Sequence, residues 1–129
     1  MSEKNTFYIT TPIYYPSGNP HIGHCYTTLA CDVVSRLKRM QGFDVMFLTG
    51  TDEHGQKIYK TAASKGISQK KYVDEMVAEM KRILKLYNIS NNSFIRTTDE
   101  NHETIVRNVY RRLNESGDVY KGAYGGWYC

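Results

Sequence analysis

Apolar positions recur along this chain in two rhythms. Phe7-Tyr8-Ile9-Thr10-Thr11 is a short aromatic and β-branched run, the composition of a strand, and Pro12 ends its ladder. Tyr14-Tyr15-Pro16-Ser17-Gly18-Asn19-Pro20 is rich in turn formers and reads as a loop. Ile22, Tyr26, Leu29, Ala30, Val33, Val34, Leu37 and Met40 then fall on one helical stripe. Gly42 closes that helix beside Arg36, Lys38 and Arg39, cations suited to a helix C-terminus. Val45-Met46-Phe47-Leu48 is apolar without alternation, which predicts a strand covered on both faces in a parallel sheet. Strand, long helix and strand in that order predict a βαβ unit.

The rest of the chain continues the alternation. A shorter helix is predicted from about His54 to Lys65, ending at Gly66. Ser68 is placed to cap a further helix, whose stripe is Tyr72, Val73, Met76, Val77, Met80, Ile83, Leu84 and Tyr87. Phe94-Ile95-Arg96-Thr97 predicts a third short strand. Thr98 or Asp99 is expected to cap a last helix with Ile105, Val106, Val109, Tyr110 and Leu113 inward, stopped at Gly117. Val119-Tyr120 and Trp127-Tyr128, around a Gly-rich turn, predict a small hairpin. Three parallel strands are few for a freestanding sheet, and the chain stops directly after an apparent strand. Both features predict a piece of a longer protein, with a small complete domain as the alternative.

Composition narrows this only a little. The 129 residues are 40% hydrophobic and 23% charged, an ordinary globular balance that argues against disorder. No apolar run approaches about 18 residues, so no membrane-spanning helix is predicted. Met1-Ser2-Glu3-Lys4-Asn5 leads into no apolar core of a secretory signal. Seventeen basic against thirteen acidic residues give a net charge of +4, which suits an anionic partner such as a nucleotide or RNA without requiring one. Three cysteines, Cys25, Cys31 and Cys129, fit a reducing cytoplasm, and Cys25 and Cys31 fall on different faces of the helix. The basic runs Lys81, Arg82, Lys85 and Arg107, Arg111, Arg112 read as solvated helix faces, with contact to RNA phosphates as the functional alternative.

Two clusters can carry chemistry. Pro20-His21-Ile22-Gly23-His24 lies where the first strand turns into the first long helix. A helix N-terminus presents unpaired N–H groups and partial positive charge, so it favours phosphate. His21 and His24 add donors there, and Gly23 lets a flat base lie against the backbone. The bland alternative is a pair of capping or solvent-facing histidines. Thr49-Gly50-Thr51-Asp52-Glu53-His54-Gly55 follows the second strand, at the same end of a parallel sheet. Asp52 and Glu53 can hold an ammonium group or a sugar hydroxyl, with the hydroxyls of Thr49 and Thr51 beside them. Alone, this run reads as an acidic capping turn. His21, His24, His54 and Asp52 also match zinc ligands in type, but a helix N-terminus suits an anion better.

His21-Ile22-Gly23-His24 resembles the HIGH signature of class I aminoacyl-tRNA synthetases. The run Thr10 to Pro20, the run Phe47 to Gly55 and the ending Gly126-Trp127-Tyr128-Cys129 resemble the methionyl-tRNA synthetase family in particular. The resemblance covers essentially the whole chain. It implies an α/β fold: the N-terminal half of a Rossmann-like parallel sheet with flanking helices, of the HUP nucleotide-binding type. Residues 1–117 would belong to that catalytic domain and 118–129 to the start of an inserted connective domain. It implies activation of methionine by Mg2+-ATP to methionyl-adenylate and transfer to tRNA(Met) in the cytoplasm, with no membrane partner. His21 and His24 would be catalytic and, with Gly23, bind ATP. Ile13, Tyr15 and Asp52 would bind methionine, Asp52 through its ammonium group. Cys129 would be a zinc (Zn2+) ligand in the full-length protein. No lysine-rich KMSKS-type loop occurs in the chain, so the fragment alone is expected to be inactive. A nucleotidylyltransferase with an HxGH turn and a non-catalytic synthetase-derived module are the alternatives; the Tyr14-Tyr15-Pro16-Ser17-Gly18 loop and the acidic run count against the first.

Overall fold

The computed structural model describes residues 5–123 and 125–126. It divides into two compact units, Met1–Thr98 and Asp99–Cys129. The first contains three strands, β1 (Thr6–Thr10), β2 (Asp44–Thr51) and β3 (Ser93–Arg96), and three helices, α1 (Ile22–Met40), α2 (Gln56–Ser64) and α3 (Gln69–Leu86). The strands form one parallel sheet in the order β1-β2-β3. Phe7 lies opposite Val45, Ile9 opposite Phe47, and Thr49 opposite Phe94. With β2 in the middle and all strands parallel, the loops after β1, β2 and β3 emerge at one edge, which is where such sheets place ligands.

The sheet is covered unequally. Val45 and Phe47 are buried, whereas Met46 and Tyr8 remain 45% and 59% exposed. The apolar run in β2 therefore does not mark a strand covered on both faces; within these residues one face of the sheet is open. Gly50 is required by packing. A Cβ there would come within 2.1 Å of the Ile95 carbonyl oxygen, so only glycine lets β2 and β3 approach as they do.

Helix α1 has the predicted bounds but buries the other side. Its apolar stripe is exposed, from Leu29 at 37% to Ile22 at 86%. The buried residues are Thr28, Asp32 and Ser35. These side chains are small or fully partnered. Thr28 and Ser35 donate to the carbonyls of His24 and Cys31. The Asp32 carboxylate accepts from Ser90 N–H at 2.7 Å, Ser90 Oγ at 2.6 Å and Arg36 Nε at 2.6 Å. A buried polar face is tolerated when each group has a partner.

Helices α2 and α3 follow the predicted pattern except at Tyr87, the last residue of the α3 stripe, which is 50% exposed. Ile58, Ala62, Tyr72 and Val73 form a buried cluster, joined by Ile67 and Met76. Val77 and Met80 are buried further along α3, and Ser68 Oγ caps it by accepting from Lys71 N–H.

The second unit contains α4 (Glu100–Glu115), which starts at Asp99 and stops before Gly117, whose φ is +81°. No residue of α4 is buried. Ile105, Val106, Val109, Tyr110 and Leu113 are 43–59% exposed rather than inward. Within this unit no other helix or strand among the described residues offers a face to bury them. Residues 118–123 form no strand, so Val119-Tyr120 is not half of a hairpin, and Trp127-Tyr128 lies outside the described residues. Among the described residues no helix is long and apolar enough to cross a membrane.

Candidate active site at the start of the first helix

The loop after β1 is stitched to the end of β2. Thr11 N–H donates to Leu48 O, Tyr14 N–H to Gly50 O, and Asp52 N–H to Tyr14 O at 2.9 Å. Tyr14 and Thr51 form a parallel bridge. The two clusters separated in sequence are thus neighbours through Tyr14. The buried Tyr14 hydroxyl bonds Thr28 Oγ1 at 2.9 Å, and its ring meets that of His24 edge-on at 4.8 Å. The aromatic loop is therefore anchored on α1 as well as on β2.

His21 and His24 cap the helix reciprocally. Gly23 N–H donates to His21 Nδ1 at 3.1 Å, and His21 N–H donates to His24 Nδ1 at 3.1 Å. This is a capping box built from two imidazoles. Each ring accepts at Nδ1, so each neutral ring carries its proton on Nε2. The rings lie 3.9 Å apart and are tilted by 37°. Burial, and then the neighbouring His21, push the His24 pKa below its ordinary value of 6.5. That shift favours the uncharged ring, with Nδ1 accepting and Nε2 left as the donor.

Gly23 sits directly behind His21. A Cβ on it would meet His21 Cε1 at 3.0 Å and Nδ1 at 3.1 Å, tighter than ordinary contact. The missing side chain therefore serves the fold of the His21 ring over the helix start, a role the sequence alone did not show.

An open cleft of about 470 Å³ is lined by Ile13, Tyr14, Tyr15, Ser17, Gly18, Asn19, His21, His24 and Lys57. It unites four of the expected residues: Ile13, Tyr15, His21 and His24. Tyr15 is 63% exposed and Ile13 41%. Asp52 is half-buried and does not line the cleft itself; its backbone is fixed to Tyr14, which does. Gly23 is likewise behind the lining. Cys129 lies outside the described residues. Lys57 was not singled out from the sequence, where it is one lysine among many; its place in the first turn of α2, just after the acidic run, was the available signal.

Other expectations at the site are corrected. Glu53 is not available to a ligand: it has no exposed surface and pairs with Arg96 at 2.7 Å. Thr49 and Thr51 are also buried, their hydroxyls bonded to Thr11 and Glu53. His54 Nε2 is engaged with Thr97 O at 3.2 Å. Among the described residues no group of three or more His, Cys, Asp or Glu is placed to hold a metal ion, so the zinc reading of this cluster lacks a ligand set. Cys25 and Cys31 are free thiols. On the basic faces Arg82 pairs with Glu79 and Arg107 with Glu103, as solvated faces do.

The family profile described as tRNA synthetases class I (M) matches residues 7–129. A methionine–tRNA ligase of Caldanaerobacter subterraneus subsp. tengcongensis is 60% identical over 98% of this chain and 20% of its own length. One of Clostridium acetobutylicum is 58% identical over 100% of this chain and 20% of its own length. The chain thus spans about a fifth of the curated relatives it matches. The structure of Mycobacterium tuberculosis methionyl-tRNA synthetase in complex with methionyl-adenylate superposes with a TM-score of 0.91 at 41% identity, covering 96% of this chain and 24% of that one.

Proposed function

The chain belongs to the family of class I tRNA synthetases (M), and on that premise we propose that the full-length protein is a methionine–tRNA ligase of the cytoplasm. The chain would supply the first half of its nucleotide-binding site. Residues 1–117 would be the N-terminal half of the catalytic domain, and 118–129 the start of an inserted connective domain. Family membership sets aside the nucleotidylyltransferase reading.

The observation that carries this is the paired imidazole cap, whose two rings accept at Nδ1 and line the cleft. Adenylation joins the methionine carboxylate to the α-phosphorus of ATP and releases pyrophosphate. Negative charge shifts over the phosphate oxygens in that transition state, where fixed donors lower the barrier. His21 and His24 would donate there, at a helix start that itself favours anions, and Lys57 would add a cation. Gly23 would lie beneath the adenine. The methionyl group then passes to the terminal ribose of tRNA(Met).

Methionine would lie along Ile13 and Tyr15, its sulfur against the Tyr15 ring. Asp52 would bind its ammonium group. Mg2+ would come with the nucleotide, and Cys129 would contribute to a zinc site of the full-length protein.

The test is amino-acid-dependent ATP–pyrophosphate exchange by the full-length protein, run across all twenty amino acids. Exchange with methionine alone is expected, and none by the isolated 129-residue chain. No exchange with any amino acid would overturn the assignment.

A further inference from the structure

Glu53 is a carboxylate with no exposed surface, one residue from Asp52. Oε1 accepts from Thr51 Oγ1 at 2.7 Å and from Arg96 Nε at 2.7 Å. Oε2 accepts from Arg96 Nη2 at 2.9 Å and from Thr98 Oγ1. Its backbone N–H donates to Thr97 Oγ1 at 2.8 Å, and its carbonyl accepts from Gln69 Nε2 at 3.4 Å. Arg96 also donates to Asp74 Oδ1 at 2.6 Å. One residue therefore ties the loop after β2 to the end of β3 and to the start of α3. On its other side Asp52 N–H is held by Tyr14 O.

A buried ion pair is a poor device for stability alone, because desolvation offsets most of its attraction. An apolar pair of similar size would fill the volume. It would not fix direction. Four donors converging on one carboxylate fix the rotation of the chain at Glu53, and with it the peptide shared with Asp52. Arg96 also neutralises Glu53, so the adjacent Asp52 is not beside an uncompensated like charge.

We propose that the Glu53–Arg96 pair is a positioning device for Asp52, holding its carboxylate where the ammonium group of the amino acid binds. This rests on the reading of Asp52 as the ammonium ligand. Glu53 and Arg96 are positioning residues and touch no substrate.

The test uses the full-length protein and two inhibitors of methionine-dependent exchange. Methioninol keeps the ammonium group; 4-(methylthio)butanoate lacks it. Glu53→Gln keeps the volume but turns an amide N–H2 towards donors. It is expected to raise the KM for methionine and the Ki for methioninol about tenfold, on the scale of a lost charged hydrogen bond. The Ki for 4-(methylthio)butanoate and the KM for ATP stay unchanged. In an Asp52→Ala background Glu53→Gln should add little, because the two act as a unit. Equal shifts for both inhibitors, or a full extra loss on top of Asp52→Ala, would overturn positioning and leave a general structural role. If Glu53→Gln does not fold, Arg96→Lys decides: a selective rise for methioninol supports the proposal, and no rise overturns it. Asp52→Ala with an unchanged methioninol Ki would instead overturn the ammonium reading and the proposal with it.

Discussion

Gly23→Ala separates two roles that glycine could have at the helix start. The added Cβ would lie 3.0 Å from His21 Cε1 and 3.1 Å from Nδ1. Restoring ordinary contact moves the His21 ring by a few tenths of an ångström. The Gly23 N–H bond to Nδ1 is already 3.1 Å long, so that movement takes it to the edge of hydrogen-bond range. Losing the cap costs about 1 kcal/mol. Alanine in place of glycine inside a helix returns about 0.5–1 kcal/mol. Stability should therefore be nearly unchanged, while the Nε2 donor is displaced. A displacement approaching 1 Å at a reacting centre costs about a hundredfold, so the smaller shift here is expected to lower kcat by about tenfold. The assay is ATP–pyrophosphate exchange by the full-length protein, with kcat and both KM values measured beside a thermal melt. Lower kcat with the KM for methionine intact supports the displaced imidazole, and a KM for ATP raised beside it fits an adenine lying over Gly23. An intact kcat would refute the displacement, whatever the KM for ATP.

Three further outcomes follow from the same geometry. His24→Ala removes an Nε2 donor and should reduce kcat for adenylate formation by about a hundredfold or more while changing the KM for methionine little, measured by the same exchange. Gly50→Ala places a Cβ 2.1 Å from Ile95 O; separating β2 from β3 breaks ladder bonds, and a loss of roughly 3 kcal/mol or more is expected in thermal melts. Acid should weaken the fold: burial alone would raise the Asp32 and Glu53 carboxyls, but hydrogen bonds from Ser90 and Arg36, and from Arg96, Thr98 and Thr51, hold both below their ordinary 3.8 and 4.5. The unfolded state then binds more protons in that window, so stability is complete above about pH 5 and falls as the pH drops through the ordinary values towards the lower folded ones. Unfolding followed by circular dichroism from pH 7 to 3 checks this, and Glu53→Gln should flatten the slope.

The elements were largely legible in the chain. α1 has the predicted bounds, α3 buries the predicted Tyr72, Val73, Val77 and Met80, and the third strand pairs in parallel with β2. So was the shared edge of the two clusters: the loop ahead of the first is bonded through Tyr14 to Thr51 and Asp52 of the second, although the cleft that unites Ile13, Tyr15, His21 and His24 is lined by no residue of the second cluster. The failures in α1 and α4 have one cause. Helical periodicity shows that a stripe exists but not which stripe is covered. In α1 the polar side faces inward because Asp32 finds Ser90, 58 residues away.

What the sequence determined by itself was local: where strands and helices start and stop, and that His21, Gly23 and His24 occupy a helix start. Those properties depend on neighbours a few residues away, through capping, turn chemistry and spacing. The tertiary structure alone decided that Asp52 and Glu53, adjacent and chemically alike, part company. Glu53 is withdrawn from solvent because Arg96, 43 residues on, supplies a matching cation inside the fold, and Asp52 remains half-exposed, its backbone N–H bound to Tyr14. A carboxylate becomes buried structure or an available ligand according to whether a partner compensates its lost hydration, and partners that distant in sequence are brought together only by the assembled sheet.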